Sequence, residues 1–144
     1  MQTPPSALTT DAAHHITQPM FSTLLQVALG GAIGASARFL LGAAILRAVG
    51  HGFPVAILSA NVIGSFLMGV FVVGAAHKGL THLSPFVMTG LLGGFTTFSA
   101  FSLEAVTLFE RGQMGQAALY VTLSVVLPIG GLVLGLMLAR GIWA

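Results

Sequence analysis

The sequence predicts an all-α membrane protein: four transmembrane helices with a break in the third, assembled as an antiparallel, dual-topology homodimer. Composition, four apolar stretches of spanning length and a glycine–threonine cluster at membrane depth carry the helices and the break. The balance of loop charges carries the pairing.

Of the 144 residues, 56% are hydrophobic and 6% charged, and the mean hydropathy is +0.98. Water-soluble domains carry about 25% charged residues, so the chain belongs in a cell membrane as a multi-pass protein whose surroundings are the lipid bilayer. With no cysteine, neither a disulfide nor a thiolate metal site can form. The basic balance comes from five Lys and Arg against three Asp and Glu scattered singly. No patch exists that would neutralise phosphates, and nucleic acid is excluded as a partner.

Residues 1–22 read as a disordered polar tail. They hold Asp11, His14 and His15 without a Lys or Arg, so the basic head of a signal peptide is missing. Two adjacent histidines alone are too few ligands to imply a metal. Residues 23–144 read as a single four-helix transmembrane domain.

A span needs about 20 mostly apolar residues, and stretches 23–48, 53–76, 85–109 and 115–139 qualify. Pro54 and Pro85 suit the first helical turn, where a missing N–H costs nothing. The breaks between spans are short and rich in glycine, histidine and charge, as turns at a membrane surface require. Glycines recur at helical spacing: Gly30, Gly31 and Gly34, then Gly64 with Ser65 and Gly69, then Gly131 and Gly135. Small residues three and four apart let helix backbones approach closely in lipid, so these faces predict tight packing.

Four spans place the N-terminus, second loop and C-terminus on one side with Lys78 and Arg140, and the first and third loops on the other with Arg47 and Arg111. Positive loop charge orients membrane proteins, and here it balances. A chain that can insert both ways up, and is too small to enclose a pore alone, points to a dimer of oppositely oriented copies.

The third span contains "GGFTTFSAFS", residues 93–102. Two glycines followed by two β-branched threonines make a poor helix interior. A break in lipid frees carbonyls that must find partners in protein, water or an ion, and broken helices at mid-membrane mark sites.

Together with "GGAIGASARF" in the first span, "ANVIGSFLMG" in the second and "ERG" after the third, this stretch closely resembles the Fluc/CrcB family of fluoride channels, from Leu24 to about Arg140. The resemblance implies a dual-topology homodimer with two fluoride pathways, and a structural Na+ held at its centre by the backbone carbonyls of Gly93 and Thr96. It implies that Phe98 and Phe101 present positive ring edges to fluoride, and that Asn61 donates to the ion from the second span. Thr97 and Ser99 join this pathway, and Tyr120 and Ser124 continue it as a line of hydroxyls on the fourth. Arg38 is expected in a vestibule that concentrates the anion, and Glu104 in a structural role. The chain departs from the family pattern at Pro128, where a further hydroxyl is expected, and in "AILSAN", where Ile57 cannot donate a hydrogen bond although Ser59 remains polar.

The reading is a passive fluoride exporter protecting the cell from fluoride toxicity. No paired carboxylates or phosphate loop support an enzyme. Its rivals are a proton-coupled four-span drug exporter, which needs a carboxylate in its chamber, and a non-transporting structural membrane subunit.

Overall fold

The computed structural model describes the backbone of residues 8–50 and 52–143 and the side chains of residues 20–50 and 52–143. Within them the protein is all-helical. Helix α1 is Leu8–Val49 and α2 is Val55–Lys78. The third span opens with a 3₁₀ turn at Thr81–Leu83, continues as a π-helix over Pro85–Leu92 and a short α3 at Gly93–Phe95, bends, and resumes as α4 at Phe98–Glu110. Helix α5 is Met114–Trp143.

Four segments are long and apolar enough to cross a membrane: Met20–Val49, Val55–Lys78, Thr81–Glu110 and Met114–Trp143. Three of them contain their sequence-predicted spans and extend them by a few residues, because interfacial groups such as Trp143 continue a helix that hydropathy alone would end; the second starts at Val55 rather than at residue 53, just after Pro54, and runs on to Lys78. Helix α1 is helical from Leu8, within the stretch expected as a tail. The His14–His15 pair lies outside the described side chains. Pro54 stands immediately before α2 and Pro85 opens the π-helix. The connections are tight: Gly79 and Gly112 take φ of +67° and +75°, a region that glycine enters without a Cβ clash.

The chain packs as two close pairs, α1 against the first half of the third span and α2 against α5. Glycines make both possible. A Cβ on Gly34 would strike the Leu91 carbonyl and one on Gly30 the Phe86 carbonyl, while Gly69 meets Leu132 and Gly135 meets Phe66 in the same way, backbone against backbone. Without a hydrophobic effect between helices in lipid, such close approach supplies the van der Waals attraction that holds them. The π-helical stretch, unexpected from sequence, lies along this α1 contact, where Phe86, Gly90 and Leu91 meet Gly30 and Gly34. Leu58, Leu108, Ala117 and Tyr120 form a small core near one end. Most other large apolar side chains face outward, as they do in a protein solvated by lipid.

Candidate functional site: the bend in the third span

At the bend, Thr96 and Thr97 leave helical geometry for extended backbone, φ/ψ of −85°/159° and −155°/126°. In an uninterrupted helix the Thr97 N–H would donate to the Gly93 carbonyl and the Ala100 N–H to the Thr96 carbonyl. Here the Thr97 N–H donates instead to Asn61 Oδ1 at 2.8 Å, and the Ala100 N–H to Thr97 Oγ1 at 3.2 Å. Thr97 thereby caps α4, a role suited to its hydroxyl and extended backbone. Upstream, Thr96 still donates from N and from Oγ1 to the Leu92 carbonyl, each at 2.9 Å.

Side chains of α1 and α2 reach the carbonyls at the bend. Asn61 Nδ2 donates to the Thr97 carbonyl at 3.1 Å, so one side chain from α2 grips both peptide groups of Thr97. Arg38 Nε, from α1, donates to the Gly94 carbonyl at 3.2 Å. The carbonyls of Gly93, Phe95 and Thr96 are left without their helical donors. Gly93 and Thr96 carry the two oxygens that the family resemblance assigns to a cation, and neutral carbonyl oxygens suit a hard cation such as Na+.

Between the bend, α2 and α5 lies a cavity of about 380 Å³ lined by Asn61, Gly64, Ser65, Met68, Gly93, Thr96, Thr97, Phe98, Ser124, Pro128 and Leu132. None of these side chains is ionisable. Several hydroxyls elsewhere donate to the carbonyl four residues back: Ser36, Ser102, Thr107 and Thr122 do so at 2.7–2.9 Å. Ser124 Oγ and Tyr120 Oη do not; both are buried without a hydrogen-bond partner among the described residues. A buried polar group so left costs free energy unless another partner meets it.

The structure thus brings Asn61, Gly93, Thr96, Thr97, Phe98 and Ser124 to one cavity and sets the other named residues behind or beside it. Phe98 is 78% exposed at its edge. Phe101 sits between Phe98 and Tyr120 in tilted contacts, with ring centroids 5.2 and 5.6 Å away. Tyr120 is completely buried, and Phe53 meets its ring edge-on at 5.6 Å. Ser99 Oγ lies 3.3 Å from Thr97 Oγ1. Arg38 does not line the cavity. Glu104, Ile57 and Arg111 border a separate cavity of about 270 Å³ at the start of α2. Sequence reasoning assigned Gly64 to helix packing alone. It shapes the site, since a Cβ there would strike the Thr96 methyl and lie 3.2 Å from the Phe95 ring. Its position one turn beyond Asn61 was the available signal.

A family described as "CrcB-like protein, Camphor Resistance (CrcB)" matches residues 25–136. The chain is 71% identical over 124 residues to the fluoride-specific ion channel FluC of Ruegeria sp. (strain TM1040), covering 85% of this chain and 98% of that one. It is 68% identical over 123 residues to the FluC of Roseobacter denitrificans, covering 84% and 98%. The FluC of Agrobacterium fabrum is 45% identical over 119 residues, covering 81% and 95%.

Proposed function

We infer that this chain, which belongs to the CrcB family, is a fluoride-selective ion channel of the plasma membrane. It carries fluoride passively out of the cytoplasm and so protects the cell from fluoride toxicity, and it is not an enzyme. The observation that carries this is its 71% identity to a protein named a fluoride-specific ion channel, over 98% of that protein. The test is fluoride efflux from liposomes holding the purified protein: fluoride leaves and chloride does not. Equal chloride flux defeats the selectivity, and proton-dependent exchange would favour the exporter. That rival needs a titratable carboxylate, and none lines the cavity at the bend.

The bend is read as the helix break of the pathway. Fluoride needs donors, and the site offers them without a fixed positive charge that would hold it: the second Nδ2 proton of Asn61, the hydroxyls of Ser124 and Tyr120, those of Thr97 and Ser99, and the ring edges of Phe98 and Phe101. Conduction requires binding weak enough to release, and neutral donors meet that need. The Gly93 and Thr96 carbonyls are assigned to a structural Na+. A two-fold axis through the site makes their two oxygens four. The ion would satisfy backbone groups that the bend deprives of helical partners, and it is not transported.

The second copy is antiparallel. An open cavity edged by an exposed phenylalanine is half a pathway, and a partner across a two-fold axis would cover it. Orientation supplies a test. With loop charges balanced, tagged copies should face both ways in one membrane. Two or three Lys added after Ala144 should bias that end to the cytoplasm and abolish fluoride resistance in a sensitive host. A second copy with Lys added between Glu110 and Gln113 should restore it. Resistance from a population of one orientation would refute the antiparallel dimer.

A further inference from the structure

Pro128 sits inside α5 and lines the cavity at the bend together with Ser124, one turn earlier, Asn61 and Thr97. Proline has no N–H, so the carbonyl of the residue four back loses its helical donor, and the ring pushes that carbonyl off the helix axis. The residue four back is Ser124. Its hydroxyl is also without a partner, although other serines and threonines of this protein turn theirs onto their own helix. One residue therefore presents both a bare carbonyl and a bare hydroxyl beside a cavity large enough for several waters.

We propose that Pro128 is a positioning residue that keeps the Ser124 carbonyl free to anchor a water molecule, and that this water serves as the pathway's donor where α5 supplies no further side-chain hydroxyl. A bare carbonyl repels an anion. A water that gives one hydrogen to it still has a second to give to the ion, so the carbonyl's unfavourable polarity becomes a donor of the required sign. Bridging waters of this kind are nearly as good as direct hydrogen bonds. The Ser124 hydroxyl, one turn away, receives the ion next. The inference rests on the channel reading.

Two variants measured by fluoride efflux from liposomes test it. Pro128→Ala returns an N–H to the Ser124 carbonyl, releases the water and adds no donor, while improving helix propensity. Efflux should fall about tenfold, the factor carried by a barrier increase of about 1.4 kcal/mol. Pro128→Ser returns the same N–H and the same straight helix but adds a hydroxyl, and should recover most of the efflux that alanine loses. Alanine efflux equal to that of the unmodified protein overturns the proposal. So does an equal loss in both variants, which assigns the effect to the proline kink. Failure of the channel reading looks different: the unmodified protein would then pass no fluoride, or as much chloride.

Discussion

Asn61→Asp stops fluoride efflux, with a loss of at least about a hundredfold. The amide of Asn61 accepts from the Thr97 N–H and donates to the Thr97 carbonyl, a pairing that requires one acceptor and one donor on the same planar group. A carboxylate only accepts. Its second oxygen would face the Thr97 carbonyl at the distance of the present 3.1 Å hydrogen bond, so the bend would lose half its clamp. On the proposed pathway the same substitution also removes a donor to fluoride and adds a negative charge beside it. Two like charges at about 4 Å repel by about 4 kcal/mol at an effective dielectric of 20, more than a hundredfold in rate requires. The check is efflux from liposomes containing protein whose oligomeric state has been measured by gel filtration, so that a change of assembly is seen separately. Normal efflux would remove Asn61 from the path.

Replacing Phe98 or Phe101 by Ile should lower efflux about tenfold or more in each case while the protein remains folded. Phe98 lines the cavity at its open edge, and Phe101 stands between it and the buried Tyr120. Isoleucine fills comparable space but lacks the positive ring edge that an anion can approach. The two substitutions should differ in stability. Phe101 packs against the Leu58–Leu108–Ala117–Tyr120 core, so Phe101→Ile should also lower the unfolding temperature in detergent. Phe98→Ile should change stability less in an isolated subunit. Efflux undiminished in both variants would reduce the two rings to packing.

The contrast between these predictions follows from what can be read along the chain. Spans, their order and their approximate ends follow from hydropathy, because a bilayer of fixed thickness imposes one length on every apolar segment. The weakness of the helix at residues 93–97 follows from local propensity, since adjacent glycines and β-branched threonines are disfavoured in a helix wherever they occur. The close-packing role of Gly34, Gly69 and Gly135 was legible for the same reason: small residues at helical spacing have few other uses in lipid. The π-helical turn of Pro85–Leu92 was not, because nothing in its apolar composition separates a five-residue hydrogen-bond step from a four-residue one.

The sequence by itself determined a membrane-embedded, four-span, all-helical chain with a weak point in its third span and a set of polar residues spaced along two others. The tertiary structure alone decided where the freed backbone groups go. Asn61 reaches across 36 residues of chain to take both peptide groups of Thr97, Arg38 takes the Gly94 carbonyl from the first span, and the carbonyls of Gly93, Phe95 and Thr96 keep no helical donor. Tertiary structure likewise drew Arg38 to the backbone, brought Gly64 and Pro128 to the cavity, and left Ser124 and Tyr120 unpartnered beside or behind it. The physical reason is that helix formation and its failure are governed by neighbours within about a turn. The partner that replaces a lost helical hydrogen bond is chosen by whichever distant side chain packing brings within hydrogen-bond reach.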